Sequence, residues 1–143
     1  MIKYVLLLTV FVVFAEHEDY EVLVNPNIAQ DELKNHILTV TVQNRDYNRI
    51  IDTKEDEIIV GIRAEEYPPL NQVLSNFLSE VLQVKPNLVE VIEGHSENEG
   101  KKVQVDGTVI TAEEIRKRIL KALKDSIEEE RHLKPSIKHR NIM

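Results

Sequence analysis

Pro68-Pro69-Leu70-Asn71-Gln72-Val73-Leu74-Ser75-Asn76-Phe77-Leu78-Ser79-Glu80-Val81-Leu82 is the stretch on which the fold turns. The proline pair breaks whatever precedes it. Leu70, Val73, Leu74, Phe77, Leu78, Val81 and Leu82 then recur at steps of three and four, the spacing of one apolar helical stripe. Gln72, Ser75, Ser79 and Glu80 fall mostly on the other side, and Pro86 stops the helix. A stripe of this width covers a sheet face, so strands are expected on both sides of it in sequence.

Upstream, Leu38, Val40 and Val42 alternate with Thr39, Thr41 and Gln43, the period-two signature of a half-buried strand. Ile58, Val60 and Ile62 alternate in the same way beyond the polar stretch 44–56, and the two strands are expected to pair antiparallel. Downstream, Val89, Val91 and Ile92 read as a third strand, parallel to its predecessor because a crossover helix separates them. Val103 and Val105 make a fourth, and Asp106-Gly107 signals a tight turn into Thr108-Val109-Ile110. Thr111-Ala112-Glu113-Glu114 matches a capping box and opens a second helix striped by Ile115, Ile119, Ala122, Leu123 and Ile127. The order β-β-α-β-β-α implies an α/β (α+β) fold: a small mixed sheet with both helices on one face.

The ends divide the chain further. Lys3 followed by the apolar run 4–15, closing on Val13-Phe14-Ala15 before Glu16, is the pattern of a secretory signal peptide over residues 1–15. Twelve helical residues rise only about 18 Å against a hydrocarbon core of roughly 30 Å, so no membrane span is expected after cleavage. The alternative is that residues 5–14 form a buried strand, for which their β-branched content is suited. Residues 16–36 read as a polar extension with an Asn25-Pro26-Asn27 turn and a helical Ile28 to Asn35. Residues 37–127 form the α/β domain. From Glu128 to Met143 the apolar periodicity is lost, and a flexible charged tail is expected.

Composition narrows the chemistry. The 143 residues carry 18 Lys and Arg against 25 Asp and Glu, a net charge of -7 that becomes -8 without Lys3. Such acidity disfavours nucleic acid and anionic membranes, both of which demand a concentrated positive field. The absence of cysteine excludes disulfides, zinc-thiolate sites and cysteine nucleophiles. No sequon for N-glycosylation occurs. The five histidines, at 17, 36, 95, 132 and 139, form no i, i+4 pair, so neither a metal nor a cofactor is expected.

From about His36 to Gly107 the chain resembles the small YggU-like family, domain of unknown function 167, over roughly half its length. The carriers are Val42-Gln43, Asp56-Glu57-Ile58-Ile59-Val60, and the proline pair leading to Asn71. They continue with Phe77-Leu78, Leu82-Gln83-Val84, Val89-Glu90-Val91-Ile92-Glu93-Gly94 and Lys102-Val103-Gln104-Val105. Family members place a Gly-Lys-Ala-Asn stretch at the first helix start, where this chain has Pro68-Pro69-Leu70-Asn71. They place a Ser-Arg-x-Lys stretch after the third strand, where residues 94–102 lack the arginine and add acidic residues. The resemblance implies an α/β fold and brings no agreed function with it.

Candidate site residues follow from these positions. Asn71 stands in the first turn of a helix, where free backbone amides can meet a ligand, and Gly94, His95, Ser96 and Lys102 flank the loop after the third strand. For Asn71 the competing reading is a structural helix-start residue. For adjacent His95 and Ser96 it is a solvated loop, because neighbours in sequence seldom reach nucleophile-base geometry and no orienting third group is evident. Arg116-Lys117-Arg118 reads as a charged solvent face. The basic tail residues Arg131, His132, Lys134, Lys138, His139 and Arg140 suit contact with an acidic protein partner. The leading expectation is a non-catalytic secreted or lumenal protein-binding domain. The alternative is a small-ligand protein or enzyme with its site between Asn71 and the His95-Ser96 loop. RNA binding, which basic positions elsewhere in the family would suggest, is disfavoured by their loss here.

Overall fold

The computed structural model describes residues 23–94 and 100–142, with side chains to His132. It has an α+β fold: a six-stranded mixed sheet and two helices. The strands are β1 (Ala29–Gln30), β2 (His36–Asn44), β3 (Arg49–Thr53), β4 (Ile58–Ile62), β5 (Val89–Glu93) and β6 (Lys101–Val105). The helices are α1 (Leu70–Leu82) and α2 (Ala112–Ile142), and a 3-10 turn spans Pro86–Leu88. The sheet order is β3-β4-β2-β6-β5, with β1 paired to β2.

Leu38, Val40, Ile58, Val60, Ile62, Val103 and Val105 share one buried cluster with Leu74, Leu78 and Leu82 of α1 and Ile115, Ile119 and Leu123 of α2. Both helices therefore cover the same face. Helix α1 ends on Gln83 in the left-handed region, where its N–H and that of Val84 return to the Glu80 and Ser79 carbonyls. Arg118 of α2 donates Nη1 to the Leu82 carbonyl, and Arg116 donates Nε to the Pro26 carbonyl at 3.0 Å. Two of the three basic residues read as a solvent face thus staple α2 to its neighbours.

Several expectations need correction. The strands β2 and β4 are parallel, Val42 facing Val60, because the missed strand β3 lies between them in sequence and forms an antiparallel hairpin with β4. Strand β5 does run in the direction of β4, but among the described residues it pairs with the antiparallel β6 and not with β4. The tight turn expected at Asp106-Gly107 is present, over residues 107–109, as a side-chain turn. Asp106 Oδ1 accepts from the N–H and hydroxyl of Thr108 and closes it. Ile28 to Asn35 is not helical: β1 pairs with β2, and Asp31 Oδ1 accepts the amides of Leu33 and Asn35 within the turn.

The capping box holds by half. Thr111 Oγ1 accepts the Glu114 N–H at 3.2 Å, while the Glu114 carboxylate pairs with Arg118 rather than reaching back. Ile110 and Ile115, at the positions of a hydrophobic staple, are both buried. Helix α2 does not stop at Ile127. It continues through the glutamate triplet, and Arg49 Nη2 meets Glu130 Oε1 at 2.8 Å. The signal-peptide stretch 1–15 lies outside the described residues, as do the side chains of Lys134, Lys138, His139 and Arg140. Among the described residues no helix is long and apolar enough to cross a membrane.

Candidate functional site

Asn71 is not the helix cap. Pro69 occupies that position without a side-chain bond, and the Gln72 and Val73 amides return to its carbonyl. The Asn71 side chain, two residues further in, is left to reach outward: Nδ2 donates to the Gly94 carbonyl at 3.3 Å. The same oxygen accepts from Lys101 Nζ at 2.5 Å. Two predicted site residues, Asn71 and Gly94, are thus brought together across 23 positions of sequence.

Gly94 has to be glycine here. Its φ is +87°, and a Cβ would stand 2.5 Å from the Gly100 carbonyl oxygen and 2.8 Å from Lys101 Cγ. The β5–β6 connection leaves and re-enters the sheet through this contact, and His95 and Ser96 lie outside the described residues. Lys102, the other predicted site residue, is on the opposite face, where its Nζ donates to Thr39 Oγ1 at 2.8 Å.

Lys101 is the residue that sequence reasoning missed. It is 0% exposed, in the same row as Val103 and Val105. The signal was present: strand residues alternate faces, so the parity of the two buried valines assigns Lys101, not Lys102, to the helix side. A lysine that deep is uncommon unless paired, and the Gly94 carbonyl is one of its partners. Asn71 Oδ1 is buried with no hydrogen-bond partner, the one unsatisfied acceptor of this cluster.

The second face of the sheet carries a different arrangement. Along β2, Thr39 accepts from Lys102, Thr41 donates to Glu57 Oε2 at 2.6 Å, and Gln43 Oε1 accepts from Arg45 Nη2 at 2.5 Å. The Thr41 hydroxyl holds the Glu57 carboxyl below its ordinary range, helped by Lys54 against the cost of burial. Half-buried Ile37 and Ile51 and buried Ile59 border this row, outside the cluster beneath the helices. At the β5 edge Ile92 is 37% exposed beside a bulge in the β5–β6 register.

Among the described residues, two carboxyls are held below their ordinary range. Besides Glu57, Asp106 is held low, by the Thr108 hydroxyl and amide, and both are surface carboxylates with ordinary turn or cross-strand donors. Among the described residues no three His, Asp or Glu side chains gather as metal ligands. His36, buried at the start of β2, is spent on structure: its Nε2 lies 2.8 Å from the Ile110 carbonyl. A cleft of about 350 Å3 lies along Gly107–Thr111 and Arg118, and another of about 320 Å3 between Asn48, Arg63 and Phe77. Neither is lined by a predicted site residue. No family model matches the chain, and no curated protein matches it.

Proposed function

We propose that this is a non-catalytic secreted or lumenal domain that binds another protein. The observation that carries the reading is the one-sided sheet: both helices pack on one face, and the other keeps a row of cross-paired polar groups bordered by isoleucines. Mixed apolar and polar surfaces of this kind suit protein contact better than a small-molecule pocket, which is concave and mostly apolar. The signal-peptide pattern supports the secretory location. The YggU-like resemblance remains a proposal that rests on the order of its motifs.

Photo-crosslinking in the secretory compartment tests this. A crosslinker at Ile37 or Gln104 on the open face should capture a protein that one at Lys121, on the exposed side of α2, does not. Equal capture from both positions, or none from the sheet, overturns the reading. The mature N-terminus should be Glu16, and recovery of a chain retaining residues 1–15 would remove the location.

One observation favours a second reading, a small-ligand site at Asn71. Its buried, unpartnered Oδ1 is an acceptor awaiting a donor, and the first turn of α1 lies beside it. A metabolite screen by ligand-observed NMR, repeated on Asn71→Ala, distinguishes a ligand from a trapped water.

A further inference from the structure

We propose that Asp106-Gly107 is a site of spontaneous aspartate isomerisation, and that Asn35 and Thr108 restrain its two reacting groups for as long as the β6–α2 turn stays folded. Aspartate followed by glycine is the pairing in which this reaction meets least hindrance, because no Cβ stands beside the attacking nitrogen. The Gly107 nitrogen adds to Asp106 Cγ, its proton and a carboxyl oxygen leave as water, and a succinimide ring is formed. Water then opens the ring at either carbonyl. One opening restores aspartate, and the other leaves isoaspartate, with the Asp106 Cβ inside the main chain. The two steps release one water and take one up, so no other reactant is needed.

Both residues are demanded by the fold. A Cβ on Gly107 would stand 1.9 Å from the Lys34 carbonyl oxygen, so the β1–β2 turn passes too close for any other residue. Asp106 supplies the acceptor that closes the β6–α2 turn: its Oδ1 takes the Thr108 N–H at 2.8 Å and the Thr108 hydroxyl at 2.7 Å. The pair is half-buried, where water still reaches it.

The same contacts oppose ring closure at both reacting atoms. The Gly107 N–H donates to Asn35 Oδ1 at 3.2 Å, and attack requires that proton to be given up and the nitrogen to turn toward Asp106. The Asp106 carboxyl is tethered through Oδ1 by both Thr108 donors. Those donors also hold it below its ordinary range, and the ionised carboxyl is the less reactive form, since closure would have to expel oxide rather than water. Val105 and Ile110 on either side of the turn are buried, so the intervening backbone has little freedom to bring nitrogen and carboxyl together. Isoaspartate would lengthen the main chain by one atom between these two anchors. It would thereby displace the Ile110 carbonyl that faces His36 and the Thr111 cap beyond it.

Ageing the folded full chain in heavy-oxygen water at neutral pH tests this. Each ring opening puts one labelled oxygen into residue 106. Trypsin in ordinary water then releases residues 103–116, in which Asp106 is the sole aspartate and no asparagine occurs. Label and isoaspartate should accumulate at least about tenfold more slowly in the folded chain than in a synthetic peptide of residues 103–116, since two restraints must be lost before the ring closes. Asn35→Ala frees the Gly107 amide, and Thr108→Val removes one tether of Asp106. Each variant, shown to be folded by circular dichroism, should age about fivefold faster than the native chain, the worth of one neutral hydrogen bond. The comparison of native chain with peptide stands without either variant. A folded chain that ages at the peptide rate overturns the proposal. So does a folded variant that ages no faster than the native protein.

Discussion

Lys101 and Asn71 donate to a single oxygen, the carbonyl of Gly94, and so join the end of β5, the start of β6 and the first turn of α1 at one point. The lysine bond is short, charged and buried, and the asparagine bond is longer and neutral. Lys101→Ala should therefore lower stability by about 2 kcal/mol or more, and Asn71→Ala by about 1 kcal/mol. Lys102→Ala, which removes only a bond to a half-buried threonine, should cost less than either. Urea unfolding of the three variants checks the ranking, and equal losses at the two lysines would place the neck of the β5–β6 connection elsewhere.

Leu74 and Phe77 share the apolar stripe of α1 but not its depth. Leu74 is fully buried against the sheet, whereas Phe77 is half-buried at the rim of the cleft with Arg63 and Asn48. Leu74→Asp puts a carboxylate into the core and should abolish folding, since several kcal/mol is comparable to the roughly 5 to 15 kcal/mol of a whole domain. Phe77→Asp can turn its charge to solvent and should leave a folded protein with a lower melting temperature. Soluble yield and thermal melting separate the two outcomes.

Glu57 makes one contribution to stability depend on pH. The Thr41 hydroxyl, and next Lys54, hold its carboxyl below the unfolded value. A depressed folded pKa means the unfolded chain binds the proton more readily, so the stabilisation is present above about pH 4.3 and fades as pH falls below it. Thr41→Val should flatten that part of the stability profile, lowering stability where Glu57 is ionised and leaving the two proteins closer at low pH. Denaturant midpoints between about pH 6 and 3 for both proteins make the comparison, and parallel curves would detach Glu57 from Thr41.

The parts of the fold that were legible are those with clean periodicity. Leu38, Val40 and Val42 announce β2 by alternation, and the stripes of α1 and α2 recur at helical steps. Strand β3 was not legible because Ile50 and Ile51 are adjacent, and the register shift between Ile50 and Asp52 breaks the alternation that would have exposed it. Missing β3 reversed the sense of the β2–β4 pair. At the site, Asn71 and Gly94 were identifiable from their positions at element ends. Lys101 was hidden by its neighbour: two adjacent lysines read as a solvated pair, and only strand parity shows that one of them points inward. The end of α2 was misread because three glutamates interrupt its stripe, one of which is paired with Arg49.

His36 and Ile110, 74 residues apart, close the fold at its other end. His36 is 5% exposed, and its Nε2 lies 2.8 Å from the Ile110 carbonyl, just before the Thr111 cap of α2. His36→Phe keeps a ring of similar bulk but removes the donor, leaving that carbonyl without it beside a buried side chain. The expected cost is about 1 to 3 kcal/mol. Thr111→Ala removes the acceptor for the Glu114 amide and should cost about 1 kcal/mol. Because the two bonds fix the same entry into α2, losing either loosens the turn that the other holds, and the double variant should lose less than the sum. A double-mutant cycle by urea unfolding measures this directly. Strict additivity would mean that the histidine clasp and the threonine cap hold α2 independently.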